Sequence, residues 1–139
     1  MVTIRTYSSP DETGIACERV DKFDGVLDLL SESHRCDPIL IELSGPTGSL
    51  LVGVGSDLST IEFMSSDRKW HGRALPNGDV GTDSVAFTYA GQATEVPARF
   101  LVPTEAMRTV VRAWFLNGKL DDAVKWSIHS HPPHKPARR

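Results

Sequence analysis

Apolar residues recur along this chain with two different periods, and the change of period divides it into elements. Between Asp21 and His34, Phe23, Val26, Leu27 and Leu30 return at spacings of three and four, which predicts an amphipathic helix. Asp21 and Asp24 stand at its start, where carboxylates suit the positive end of the helix dipole, while Gly25 weakens it slightly. Residues 1–16 are polar and broken by Pro10 and Gly14, with the run VTIRTY as an expected edge strand. After Asp37-Pro38 the period becomes two. ILIEL (39–43), SLLVGV (49–54) and STIEFM (59–64) read as antiparallel strands joined by turns at 45–48 and 55–57. Alternation puts Leu50, Val52 and Val54 on one face, where they meet Ile61 and Phe63 of the next strand. Gly53, Thr60 and Glu62 go to the other face, with Glu42.

Residues 65–84, SSDRKWHGRALPNGDVGTDS, are expected to form one long polar connection with a turn at Asn77-Gly78. Connections of that length in small domains usually carry function or move. VAFTYA (85–90) and QATEVP (92–97) then pair as a hairpin around Gly91. The strongest helical signal is PTEAMRTVVRAWFLNGK. Thr104 is the expected N-cap behind Pro103, and Glu105 suits the first turn. Ala106, Met107, Val110, Val111, Trp114 and Phe115 make the apolar stripe, and Asn117-Gly118 is the stop. Val124 and Trp126 belong to a short final strand. The pattern as a whole predicts an α+β fold: an antiparallel β-sheet meander with an N-terminal helix and a C-terminal amphipathic helix packed on one face. A single domain spans 1–128, and 129–139, HSHPPHKPARR, is expected to be a disordered basic His/Pro-rich tail.

Charge changes this picture in one respect. The formal net charge of −3 conceals a tail that holds Lys135, Arg138 and Arg139 and no acid. The remaining body carries 12 basic against 18 acidic residues. An acidic body argues against direct nucleic-acid binding, which rests on cations neutralising phosphates, and fits a basic protein partner. No segment approaches the roughly 20 apolar residues of a membrane span, and no basic-then-apolar export signal opens the chain, so a cytoplasmic location is expected. Cys17 and Cys36 make neither a disulfide framework nor a metal site.

Candidate chemistry is sparse. Gly53-Val54-Gly55 lacks the third glycine and following helix of a dinucleotide fingerprint, and no Gly-Lys-Ser/Thr follows it, so the pair reads as a strand end and turn. His129, His131 and His134 lie in the tail, and His34 ends the first helix. His71 alone stands among loop carboxylates, Asp67 and Asp79, which leaves a weak enzymatic alternative. Trp70 lies among Asp67, Arg68, Lys69, His71 and Arg73. It either tucks beneath the loop or anchors an interface.

Pro103, the helix ending Trp114-Phe115-Leu116-Asn117-Gly118, and Val124-Lys125-Trp126 together resemble a family of bacterial immunity proteins, the first of the numbered immunity families of polymorphic toxin systems. The hairpin LLVGVG leading into Ile61-Glu62-Phe63 agrees with it. The resemblance covers about residues 20–126 as an order of elements. It implies a chain that binds and neutralises a cognate toxin domain, often a nucleic-acid deaminase or nuclease, without chemistry of its own and without a cofactor or metal. Gly53, Gly55, Pro103, Trp114, Phe115, Gly118 and Trp126 are then positions that determine the fold. Electrostatic complementarity to a basic toxin cleft places the expected contacts at Glu42, Glu62, Asp67, Trp70, His71 and Asp79. A small adaptor or regulatory domain is the second reading.

Overall fold

The computed structural model describes residues 1–8 and 11–130. In chain order these residues form β1 (Val2–Ser8), β2 (Asp11–Cys17), α1 (Val20–Ser33), β3 (Ile39–Gly45), β4 (Gly48–Val54), β5 (Leu58–Ser59), β6 (Ile61–Ser65) and β7 (Trp70–Leu75). They continue with β8 (Val85–Tyr89), β9 (Gln92–Val96), a 3-10 turn (Ala98–Phe100), β10 (Val102–Pro103), α2 (Thr104–Asn117) and β11 (Lys125–Ser130). The main sheet runs β11-β7-β6-β4-β3-β1-β2, with neighbours antiparallel. The β8–β9 hairpin joins it through one parallel bridge, Ile39 to Thr88, and β5 pairs with β10 apart from it.

One face of the sheet carries both helices. Phe23 and Leu27 from α1, and Met107, Val110, Val111 and Trp114 from α2, bury themselves against Ile4, Ile41, Val52, Ile61 and Ala74. Full burial of a side chain of this size contributes roughly 1.5–3 kcal/mol, so this layer is the main stabilising element. Phe115 extends it by stacking on Phe23 at 4.7 Å. At the rim, Arg108 reaches Asp28 at 2.7 Å and Arg112 reaches Asp24 at 2.6 Å, which fixes the helix pair. Leu50 and Val52 share a face with Ile61 and Phe63 as expected, and the register sets Leu50 against Phe63 and Val52 against Ile61.

The architecture is α+β with a mostly antiparallel sheet and two helices, and it differs from the sequence reading at several points. VTIRTY is not an edge strand: β1 lies between β3 and β2. Its partner β2 escaped notice because only Ile15 and Cys17 mark its buried side. The first helix is consequently preceded by a hairpin rather than opening the fold. The supposed connection 65–84 contains β7, whose inward positions are Gly72 and Ala74, residues too small to register as an alternating apolar pattern. Thr104 is the first residue of α2 and not its N-cap; its hydroxyl donates to the Ser56 carbonyl at 2.7 Å, and Pro103 occupies the cap position. At the other end Gly118 takes the left-handed conformation, φ 71°, and its N–H donates to the Trp114 carbonyl. His129 and Ser130, read as the start of the tail, continue β11 against His71 and Trp70. The rest of that tail, 131–139, lies outside the described residues.

The face opposite the helices is not uniformly polar. Leu40, Phe87, Val96 and Leu101 form a second apolar cluster there, flanked by Leu51, Leu58 and Phe100. The β8–β9 hairpin and the 3-10 turn supply its cover. Gly53 lies beneath it, and a Cβ at that position would stand 2.5 Å from the Phe87 ring. The glycine is there because an aromatic ring rests on the backbone.

Candidate functional site

The covering hairpin leaves part of this second face open, and the strand register fills the opening with polar residues. One cross-strand row runs Arg5, Glu42, Leu51, Glu62, Arg73, Ser127. The next row runs Ser44, Ser49, Met64, His71, His129. Residues paired across antiparallel strands share a side, so these two rows form one continuous surface.

Its charges are largely matched internally. Arg73 holds Glu62 at 3.2 Å, and its guanidinium lies 4.2 Å from the centre of the Phe100 ring. Arg99 approaches the same ring at 4.7 Å. Glu42 accepts a hydrogen bond from the Tyr7 hydroxyl at 3.0 Å and a longer one from Ser44. The imidazoles of His71 and His129 stand 5.3 Å apart, with the Ser127 hydroxyl 3.0 Å from His129 Nε2.

The six residues expected to meet a partner therefore divide into groups. Glu42, Glu62 and His71 are on the open face. Trp70 is the preceding residue on β7, so strand alternation turns it to the opposite side, where it is 49% exposed at the sheet's corner. Asp67 sits in the β6–β7 turn, its carboxylate accepting from the Ser65 hydroxyl at 2.7 Å and the Lys69 N–H at 2.9 Å. Those two donors hold its carboxyl below the usual carboxylate range. Asp79 accepts from the Gly81 N–H in a separate loop.

Residues that sequence reasoning missed on this face are Arg5, Tyr7, Arg73, Phe100 and His129. Arg73 was findable, since it follows His71 by two in Trp-His-Gly-Arg-Ala-Leu, once the segment is taken as a strand. Tyr7 and Phe100 come from distant parts of the chain and leave no local signal.

The fold-determining positions are placed as follows. Gly55 adopts φ 104° with the His34 carbonyl where a Cβ would go. Trp114 is buried, Phe115 stacks on Phe23, and Trp126 Nε1 donates to the Asp121 carbonyl at 2.7 Å. Pro103 pairs with Leu58 just before α2.

A cleft of about 360 Å³ beside α1, lined by Asp28, Glu32, Arg35, Asp57 and Thr104, lies on the helical side. Its helix acids are engaged by Arg35 and Arg108. Among the described residues no group of three or more His, Cys, Asp or Glu is arranged to hold a metal ion. Among them, too, no helix is long and apolar enough to cross a membrane. The surface presents donors, acceptors and rings in cross-strand positions.

Residues 11–127 match the family described as immunity protein Imm1, a span that runs from the start of β2 into β11. No curated protein matches the chain.

Proposed function

The chain belongs to the Imm1 immunity-protein family, and from that premise we propose that it neutralises a cognate toxin domain by binding it through the open sheet face. The family match is the observation that carries the reading. An immunity protein exists to neutralise a toxin, and the other face of this sheet is already occupied by α1 and α2. Glu42 and Glu62 put carboxylates on this face, held in place by Tyr7 and Arg73, in a body whose net charge is negative. A nuclease or deaminase domain has a basic cleft for its nucleic-acid substrate, so complementarity favours this class of toxin. Inhibition is then steric and electrostatic, and takes place in the cytoplasm of the producing cell.

The alternative of an enzyme built on His71 loses support from the carboxylates it needs. Asp67 is committed to Ser65 and Lys69, and Asp79 to Gly81. The test is co-expression with the toxin domain encoded beside this chain, scoring survival and co-purification. Survival with a stable complex is the expected result. A lethal neighbour that is neither bound nor neutralised overturns the reading. Charge reversal at Glu42 and Glu62 that leaves affinity and its salt dependence unchanged would move the interface off this face.

A further inference from the structure

The corner where β7 meets β11 combines three features found together nowhere else among the described residues. The first is exposed apolar area on one side of the sheet. Trp70 pairs with Ser130 and Gly72 with Ile128, so Trp70 and Ile128 are diagonal neighbours, 49% and 48% exposed. Gly72 is the floor between them; a Cβ there would touch the Ile128 side chain at 3.3 Å. The second is local charge opposite in sign to the body. Arg68 and Lys69 precede Trp70 directly, are exposed, and close no ion pair among the described residues.

The third feature is rigidity. The Ser65 hydroxyl donates to Asp67 and accepts from the Trp70 N–H at 3.0 Å, the Arg68 N–H donates to the Ser65 carbonyl at 2.9 Å, and the Ser66 N–H donates to the Thr47 carbonyl at 3.0 Å. Arg68 is held at φ 61°, a left-handed conformation that a non-glycine residue adopts at a cost. A turn so closed fixes the backbone at Trp70, so less order has to be gained there on docking.

We infer that this corner is the anchor of the toxin complex, with Trp70 and Ile128 entering an apolar socket on the toxin domain whose border carries carboxylates for Arg68 and Lys69. The inference rests on the immunity reading and deepens it. Asp67, expected from sequence to touch the toxin, instead acts as a positioning residue that shapes the turn. The pleat turns Trp70 to the side of the sheet opposite His71, so a toxin domain that holds both the corner and the open face reaches around the end of β7 between them. A partner carrying a basic cleft and an acid-rimmed socket fits such a footprint in a single orientation, which is a means of rejecting toxins that share only the cleft.

The experiment is calorimetric and kinetic titration of the full chain with the toxin domain encoded beside it, using Trp70→Ala, Lys69→Glu and the control Leu29→Ala on exposed α1. Trp70→Ala is expected to weaken binding about thirtyfold or more, the range of interface hot spots. Lys69→Glu is expected to slow association at low salt, and Leu29→Ala to leave both quantities unchanged. Should Trp70→Ala fail to fold, Lys69→Glu at an exposed position decides. Binding by wild type that both corner variants retain overturns the anchor and leaves the immunity reading intact. Absence of binding by wild type overturns both. Tight binding of wild type to a single-stranded oligonucleotide, abolished by Trp70→Ala, also overturns the anchor, since it gives the corner to nucleic acid.

Discussion

Arg73 faces Glu62 across β6 and β7, closing a 3.2 Å ion pair while its guanidinium rests 4.2 Å from the centre of the Phe100 ring. The pair thereby ties the main sheet to the 3-10 turn that closes the second apolar cluster. The ion pair is partly exposed, so its own contribution is at most about 1 kcal/mol, and the cation–π contact adds roughly 0.5–1 kcal/mol. Arg73→Ala is expected to lower unfolding stability by about 0.5–2 kcal/mol in urea titration, from these two contributions together. Arg73→Lys should recover only part of that, because an ammonium keeps the charge and loses the planar stack. Equal stability of Arg73→Ala and wild type would show that Phe100 is held without it.

Gly53 and Phe87 make a second separable pair. Gly53→Ala forces a methyl to within 2.5 Å of the ring, so the hairpin must shift or the strand must bend. Overpacking of this kind costs about 1–3 kcal/mol. Phe87→Leu alone should also destabilise, through lost volume, by about 1 kcal/mol or more. Combined, the two should cost less than their sum, because the smaller side chain makes room for the methyl. A double-mutant cycle in denaturant reads the coupling directly, and strict additivity would mean that the hairpin tolerates the methyl elsewhere.

The two cysteines differ by environment. Cys17 is buried on β2, and burial pushes its thiol above the ordinary value despite the opposing influence of Lys22; Cys36 is exposed. A thiol reagent at neutral pH should modify Cys36 alone in the folded protein and both after denaturation, since the thiolate is the reacting species. Native modification of Cys17 at a rate near that of Cys36 would show that the β1–β2 edge opens readily.

Acid should loosen the anchor turn before the core. Asp67 has its carboxyl lowered by the Ser65 hydroxyl and the Lys69 N–H. A group whose folded value is depressed contributes order above its unfolded value and loses it as pH falls through the folded one. The ordering by Asp67 is accordingly present at neutral pH, and it fades below the ordinary carboxylate value of 3.8. Protection of the Lys69 amide, followed by NMR, should decline in that range while amides of β3 and β4 remain protected. Asp67→Asn should show no such step. Identical acid profiles for the two proteins would contradict the role assigned to Asp67.

Strands and helices with a long apolar stripe were legible in the sequence. The shared face of Leu50 and Val52 with Ile61 and Phe63 followed from alternation alone, and the stop of α2 at Gly118 followed from its chemistry. Elements whose buried positions are small or few were not. Gly72 and Ala74 gave β7 no hydrophobic pattern, which turned a strand into a supposed loop and put Trp70 and His71 side by side when the pleat sends them apart. The polar face was also over-read. Gly53 was placed there correctly by parity, but Phe87 covers it, a contact between residues 34 positions apart that no local pattern encodes. Of the proposed contacts, Glu42, Glu62 and His71 share a surface because strand periodicity is a local property. The grouping of Trp70 with Ile128 and Arg68 depends on β11 docking against β7, which is not.

The order in which strands leave the ribosome differs from their order in space, and this has a consequence for β7. Among the described residues its outer edge is closed by Lys125–Ser130, which are synthesised well after it. Until they arrive, a nascent chain carries a bare strand edge with Trp70 beside it, the arrangement that recruits other strands. A transcript broken before codon 125, or proteolysis that removes β11, thus releases a species poised to aggregate. For a cell that depends on continuous protection, ribosome rescue and turnover of such fragments become part of keeping the antidote in supply.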